Sequence, residues 1–279
     1  MATLPNPLPR LTSDPSGRSL GLQLPPGRVI DAQDGGAAVL WCAQKAAAPG
    51  TWAALGAPAG RAGLVPVLVD AQDPQGGPES WGLAPEEASY PGDHDAEEIL
   101  EEYWAEDAGE YSGNGTADGA GDGRGDGTED APEWPGLAPA PTLVADPDAR
   151  AAEVADSLTQ GGSSPYEGLR LALVPARRSA DVPAALGWSG AVNYEEDVAR
   201  LCAVLRSWEE RFGIRVVALS YDRLSVSVAA PPATPEEAEA LALEHLGLCP
   251  YAVLRTDEDT LEVYAKGLIG APAWHFWWD

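Results

Sequence analysis

Residues 214–238 read IRVVALSYDRLSVSVAAPPATPEEA, and the fold is decided there. Ile214–Ser220 and Leu224–Ala230 are apolar, partly β-branched runs joined by Tyr221-Asp222-Arg223, the pattern of a β-hairpin. In the second run Leu224, Val226 and Val228 are expected to face the core, with Ser225 and Ser227 facing out. Thr234-Pro235-Glu236-Glu237 then supplies an N-cap, a proline at the first helical position and a glutamate at the third. The helix it opens carries Ala238, Leu241, Ala242 and His245 on its buried face and is expected to stop at Gly247. Upstream, Asn193-Tyr194-Glu195-Glu196 reads as the capping box of a helix running to about Phe212. Val198, Leu201, Cys202, Leu205, Trp208 and Phe212 form its apolar stripe. Leu169–Val174 reads as a strand, and Asp181 precedes a short helical turn that Gly187 ends. Downstream, a helix near 259–268 presents Leu261, Tyr264, Ala265 and Leu268 on one face. The last residues, Trp274-His275-Phe276-Trp277-Trp278-Asp279, alternate as a closing strand with His275 and Trp277 on the outward parity. The fold class is α+β, with helices packed on a mixed or antiparallel sheet.

The first 85 residues read as short strands between Pro/Gly turns. Leu20–Leu24 and Val29–Asp31 flank Pro25-Pro26-Gly27, and Ala37–Ala43 and Leu64–Asp70 are apolar runs of strand length. Pro66 lacks an amide donor, which predicts an edge position for the second of these runs. Asp95 and Glu98 open a helix over about 95–106 whose apolar stripe is Ile99, Leu100, Tyr103 and Trp104. Residues 107–141 are Gly/Asp/Pro-rich and are expected to be a disordered acidic linker. A short helix is predicted over 147–160. The expected organisation is an N-terminal α+β region over 1–106, the linker over 107–141, and a C-terminal α+β domain over 142–279.

The 279 residues carry 44 acids and 17 bases, a net charge of −27. Residues 86–133 hold 17 acids against Arg124 alone, a local net charge of −16. That sign disfavours nucleic acid and favours a basic protein partner. Cys42, Cys202 and Cys249 are too few and too scattered for a disulfide framework or a four-ligand zinc site, so no metal and no cofactor are expected. The cysteine usage suits a reducing, cytoplasmic setting. No apolar run is long enough to span a membrane, and MATLPNPLPRLTSDPSG at the amino terminus lacks the apolar region of a secretory signal.

Five separated segments fall in an order that resembles a known family. They are LALVPARRSADVPAALGW (171–188), NYEEDVARLCAVLRSWEERFG (193–213), LSVSVAAPPATPEEA (224–238), EHLGLCP (244–250) and WHFWWD (274–279). Over roughly residues 169–279 the chain resembles the bacterial domain of unknown function 4253 family. DAEEILEEYW (95–104) is similar to a region that precedes this domain in some members. The resemblance implies a small cytoplasmic α+β domain and implies no reaction.

Several residues are candidates for function. His245 and Cys249 stand four apart, as an imidazole base and a thiol nucleophile would on one helix face. The alternative is a core histidine near a helix C-terminus beside a small buried cysteine. Trp188, Trp274, His275, Trp277 and Trp278 supply either a binding platform or a core-closing strand. Arg177 and Arg178 are candidate anion contacts or solvated surface. Residues 118–129 place Asp at positions 1, 5 and 9, Gly at 6 and Glu at 12 of a calcium-like register, but Ala120 leaves position 3 without an oxygen ligand. Phosphate-loop, dinucleotide, zincin and nucleophile-elbow signatures are absent. The reading is a non-enzymatic protein-interaction module, with an inhibitor- or immunity-like role as one version. The alternatives are a hydrolase or transferase using Cys249 and His245, and a small-molecule-binding domain with a Trp-rich terminus.

Overall fold

Helices and strands are interspersed along the chain. The computed structural model describes residues 5–111, 133–160, 164–254 and 260–278. In chain order the elements are α1 (Pro9–Ser13), β1 (Gly27–Asp31), β2 (Ala38–Ala43), α2 (Thr51–Arg61), β3 (Val65–Asp70), α3 (Ala96–Tyr111), α4 (Pro147–Thr159) and β4 (Leu169–Val174). There follow α5 (Val182–Leu186), α6 (Val198–Phe212), β5 (Arg215–Leu219), β6 (Arg223–Ser227), α7 (Pro235–Leu248), α8 (Pro250–Val253), α9 (Leu261–Leu268) and β7 (Ala273–Trp277). Among the described residues the strands form one mixed sheet in the order β1-β2-β4-β3-β5-β6-β7. Every neighbouring pair is antiparallel except β3–β5, which is parallel. The fold is therefore α+β, as the sequence predicts.

Strands from both sides of the acidic tract interleave, because β4 lies between β2 and β3. Helices cover both faces of the sheet. One face packs under α3, α5, α6, α7 and α9, with Val67, Val174, Val226, Trp208 and Phe276 in its core. The other packs under α1, α2 and α4, with Leu11, Trp52, Leu55, Val154, Leu171 and Val217. Gly187 joins the N-terminal segment to this core. It ends α5 in the left-handed region, and a Cβ there would lie 2.0 Å from the Ala84 carbonyl carbon.

Local helix signals act largely as read. The Thr234 hydroxyl accepts from the Glu237 amide at 3.2 Å while the Glu237 carboxylate accepts from the Thr234 amide at 3.3 Å, a reciprocal capping box. Asp146 caps α4, and the Asp95 carboxylate accepts from the amides of Glu97 and Glu98 at the start of α3.

Several expectations are corrected. The 193–196 box does not open α6. Asp197 caps it instead, accepting from the Ala199 amide at 3.0 Å. Leu20–Leu24 is not a strand; a 3-10 turn at Arg18–Leu20 precedes extended chain. Helix α2 was not anticipated, because Gly56, Pro58 and Gly60 oppose helix formation; burial of Trp52, Leu55 and Ala59 on one face outweighs them. Pro66 lies in a central strand. The β3–β5 pairing is confined to Leu68–Ala218 and Val69–Leu219, so Pro66 sits where β5 does not reach and no donor is demanded on that side. Ser225 and Ser227 are fully buried, because α4 and Tyr166 cover that face of β6. Helix α7 passes Gly247 and ends at Leu248.

Both ends of the expected 107–141 linker are structured. Helix α3 extends to Tyr111, residues 112–132 lie outside the described residues, and 133–141 pack on the core. Buried Glu244 fixes this last segment. Its carboxylate accepts from the Ala138 amide at 2.6 Å, from Trp208 Nε1 at 2.8 Å, and from both Arg211 Nη atoms at 2.7 and 2.6 Å. Arg211 also donates to the Ala138 carbonyl at 2.9 Å, and each Glu244 oxygen accepts two bonds. The calcium-like register at 118–129 and Asp279 lie outside the described residues.

Candidate functional site

Strand β7 divides the terminal aromatics by parity. Trp274, Phe276 and Trp278 point into the core beneath α6 and α7. Trp274 meets Trp208 and Phe212 edge-on, Phe276 stacks on Trp208 at 5.4 Å between centroids, and Trp278 meets Trp188 at 5.8 Å. Trp188 is sealed, and its Nε1 donates to the Ser220 carbonyl at 2.9 Å. Trp188, Trp274 and Trp278 thus belong to the core, and Trp274 also lines the cleft beside β7. His275 and Trp277, on the opposite parity, line a cleft of about 380 Å³ at the last edge of the sheet.

The cleft combines aromatic walls with a short polar chain. Tyr166 OH, Ser225 Oγ and His275 Nδ1 are linked at 2.7 and 2.6 Å. Cross-strand pairing of Ser225 with His275 sets the second contact, and the segment preceding β4 brings Tyr166 over Ser225. Burial pushes the Tyr166 phenol well above its ordinary range, so it stays protonated, and its hydroxyl also lies 3.4 Å from the Ala218 carbonyl, to which it donates. The Ser225 hydroxyl therefore stands between the Tyr166 oxygen and His275 Nδ1, within hydrogen-bond reach of both. Desolvation by burial lowers the His275 pKa and favours the neutral ring. Trp277 is held from three sides. Its Nε1 donates to Asp222 at 2.9 Å, the Arg223 guanidinium lies 5.5 Å from its ring centroid, and Tyr251 meets it at 6.2 Å. Tyr264 and Leu268 of α9 form the opposite wall. The arrangement offers hydrogen-bond donors and π-faces, and it suits binding.

Cys249 and His245 do not form a nucleophile–base pair. Cys249 caps α7, its amide donates to the His245 carbonyl at 2.8 Å, and its thiol donates to the Trp277 carbonyl at 3.0 Å. Burial pushes that thiol up to about 12, so it remains protonated. His245 is fully buried among Trp208, Trp274, Phe276 and Tyr264. Its Nδ1 contacts Tyr264 OH at 2.9 Å, and Nε2 has no partner among the described residues. Burial first, and the Arg211 charge second, lower its pKa to about 3. Neither group reaches solvent, and the thiol is held in its unreactive protonated form, bonded to a carbonyl and not to the imidazole.

Arg177 and Arg178 fall in the loop after β4 and do not line the β7 cleft. Arg178 pairs with Glu210 at 2.7 Å. A polar cluster that sequence reading passed over, Ser89–His94–Asp197, brings Ser89 Oγ and Asp197 Oδ2 to the same Nε2 at 2.6 and 3.7 Å. A serine–histidine–acid relay needs them on opposite ring nitrogens. A larger groove of about 950 Å³ beside α2 carries Lys45 as its sole charged lining residue, so no set of polar groups converges there. Among the described residues no cluster of three or more His, Cys, Asp or Glu is arranged to hold a metal, and no helix is long and apolar enough to cross a membrane.

Sequence reading found His275 and Trp277 but missed Tyr166, Ser225, Arg223, Tyr251 and Tyr264 as their companions. The cross-strand register that joins Ser225 to His275 spans fifty positions of sequence, so no local pattern announces it. No curated protein and no solved structure matches the chain. All the residues lining the cleft except Pro165 and Tyr166 belong to a segment with a family match. That segment, residues 170–279, matches the family described as Domain of unknown function (DUF4253).

Proposed function

We propose that this chain is a non-enzymatic protein-interaction module, with the β7 cleft as its docking site and a basic protein as its partner. The observation that carries the reading is the convergence of His275, Trp277, Arg223, Tyr251 and Tyr264 on one open cleft, while Cys249 and His245 are sealed in the core. Aromatic side chains with polar tips are the residue types that dominate binding hot spots. The net charge of −27, with −16 concentrated in 86–133, would speed encounter with a basic partner and make that encounter salt-sensitive. An inhibitor- or immunity-like role, covering a basic protein's own site, is one form of this function.

The test is photo-cross-linking in native lysate, with benzoylphenylalanine placed at Tyr251 in the cleft or at exposed Tyr90 away from it. The expected result is a basic protein labelled from position 251 and not from 90, and lost at high salt. Equal labelling from both positions, or none from 251, overturns the reading. One observation favours a second reading, a small-molecule site: the cleft volume of about 380 Å³ lies within the usual range for small ligands. Saturable quenching of Trp277 fluorescence by a metabolite, with no protein labelled from 251, would establish it.

A further inference from the structure

The two edges of the sheet are finished differently. Edge strand β1 carries Arg28 and Asp31 and is irregular between Ile30 and Asp31, features that discourage a further strand. Edge strand β7, Ala-Trp-His-Phe-Trp, has no charge formally fixed at neutral pH, no proline and no register shift against β6. Its hydrogen-bonding parity follows from the bonds that bracket it. The Val228 amide donates to the Pro272 carbonyl at 2.8 Å and the Trp278 amide donates to the Asp222 carbonyl at 3.1 Å. Even-numbered residues of β7 therefore turn their backbone groups to β6, and Ala273, His275 and Trp277 turn theirs away. The Trp277 carbonyl confirms the direction, since it accepts the Cys249 thiol from the far side. The amide and carbonyl groups of Ala273 and His275 have no partner among the described residues, and the cleft runs past all five residues of the strand.

We propose that β7 accepts an extended segment of a basic protein as an added strand, bound through the outward amide and carbonyl groups of Ala273 and His275. The proposal rests on the reading of the cleft as a protein-docking site and specifies how that docking occurs. Successive side chains of the guest fall alternately on the His275–Trp277 side and on the Tyr264–Leu268 side. Charge selects the occupant. A second copy would bring −27 against −27, whereas a segment of alternating Lys or Arg and apolar residues is attracted. Arg223 does not oppose this, because the Asp222 carboxylate stands 3.7 Å from it at the rim.

The test uses the full chain and an end-capped heptapeptide of alternating lysine and valine. Two analogues are N-methylated either at every lysine or at every valine. The expected result is tenfold or greater slowing of amide exchange at Ala273 and His275 with the parent peptide, and tenfold or greater weakening of binding by one analogue and not the other. His275→Pro removes an amide that faces away from β6, a change an edge strand accommodates, and is expected to weaken the parent peptide by the same factor. Binding without protection of these amides, or with both analogues equal to the parent, overturns strand addition while leaving the docking site in place. No binding at any peptide concentration also overturns it, and absence of labelling from position 251 would then remove the docking site as well. Protection that grows with protein concentration in the absence of peptide assigns the edge to a second copy and overturns the basic occupant.

Discussion

Alkylation of Cys249 separates a catalytic thiol from a structural one. The thiol donates to the Trp277 carbonyl, is fully buried, and has its pKa pushed up to about 12. An unperturbed cysteine titrates near 8.5, so at pH 7 the reactive thiolate is about 3,000-fold scarcer at Cys249. Burial slows the reagent further. The assay is iodoacetamide labelling of native protein from pH 7 to 9 with glutathione in the same tube, read by mass spectrometry of each cysteine peptide. Cys249 is expected to react at least about 1,000-fold more slowly than glutathione, with no midpoint in this range. Cys42, whose thiol burial pushes up to about 11, should also be slow. In urea all three cysteines should label alike, showing that the fold protects them. A Cys249 rate matching glutathione, or a midpoint below 8, would refute the assignment and restore the hydrolase reading.

Three other outcomes follow from the same core. His245 has its pKa lowered from 6.5 to about 3, so the unfolded chain binds a proton more readily than the folded one. Its contribution is present above pH 6.5 and is lost as pH falls toward 3, by up to about 5 kcal/mol. The urea midpoint of the wild type should therefore fall relative to that of His245→Phe as pH drops below 6.5, and parallel curves would contradict this. Glu244→Ala leaves Arg211, Trp208 and the Ala138 amide without their acceptor and should cost about 3–5 kcal/mol in urea unfolding; a loss below about 1 kcal/mol would show that the buried pair does not hold the 133–141 segment. Trp188→Ala should cost about 3–5 kcal/mol, whereas Trp277→Ala, at the half-buried cleft wall, should cost about 1 kcal/mol and chiefly weaken binding. Equal losses from the two would erase the division of β7 by parity.

Signals whose partners lie within one helical turn or one hairpin were legible in the sequence. The capping box at Thr234 and Glu237, the stripe from Val198 to Phe212, the β5–β6 hairpin and the inward parity of Trp274, Phe276 and Trp278 all involve neighbours a few residues apart. The α+β class follows from those elements alone. What neighbours decide at longer range was misread. Serines on a strand ordinarily mark a solvent face, yet Tyr166 and α4 bury Ser225 and Ser227. A proline ordinarily marks an edge strand, yet Pro66 lies beyond the reach of β5 in a central one.

Sequence by itself determined most of the helices and strands of the C-terminal part, their apolar stripes and the local concentration of acid, because backbone capping, side-chain periodicity and formal charge are properties of adjacent residues. Tertiary structure alone decided that β4 enters between β2 and β3, and that Ala138 is clamped by the Arg211–Glu244 pair. It also decided that Cys249 points at a carbonyl instead of at His245, and that Ser225 meets His275 beside an unpaired strand edge. Each of these is a contact between distant segments. Its geometry depends on how the whole sheet is ordered and twisted, which no window of sequence encodes.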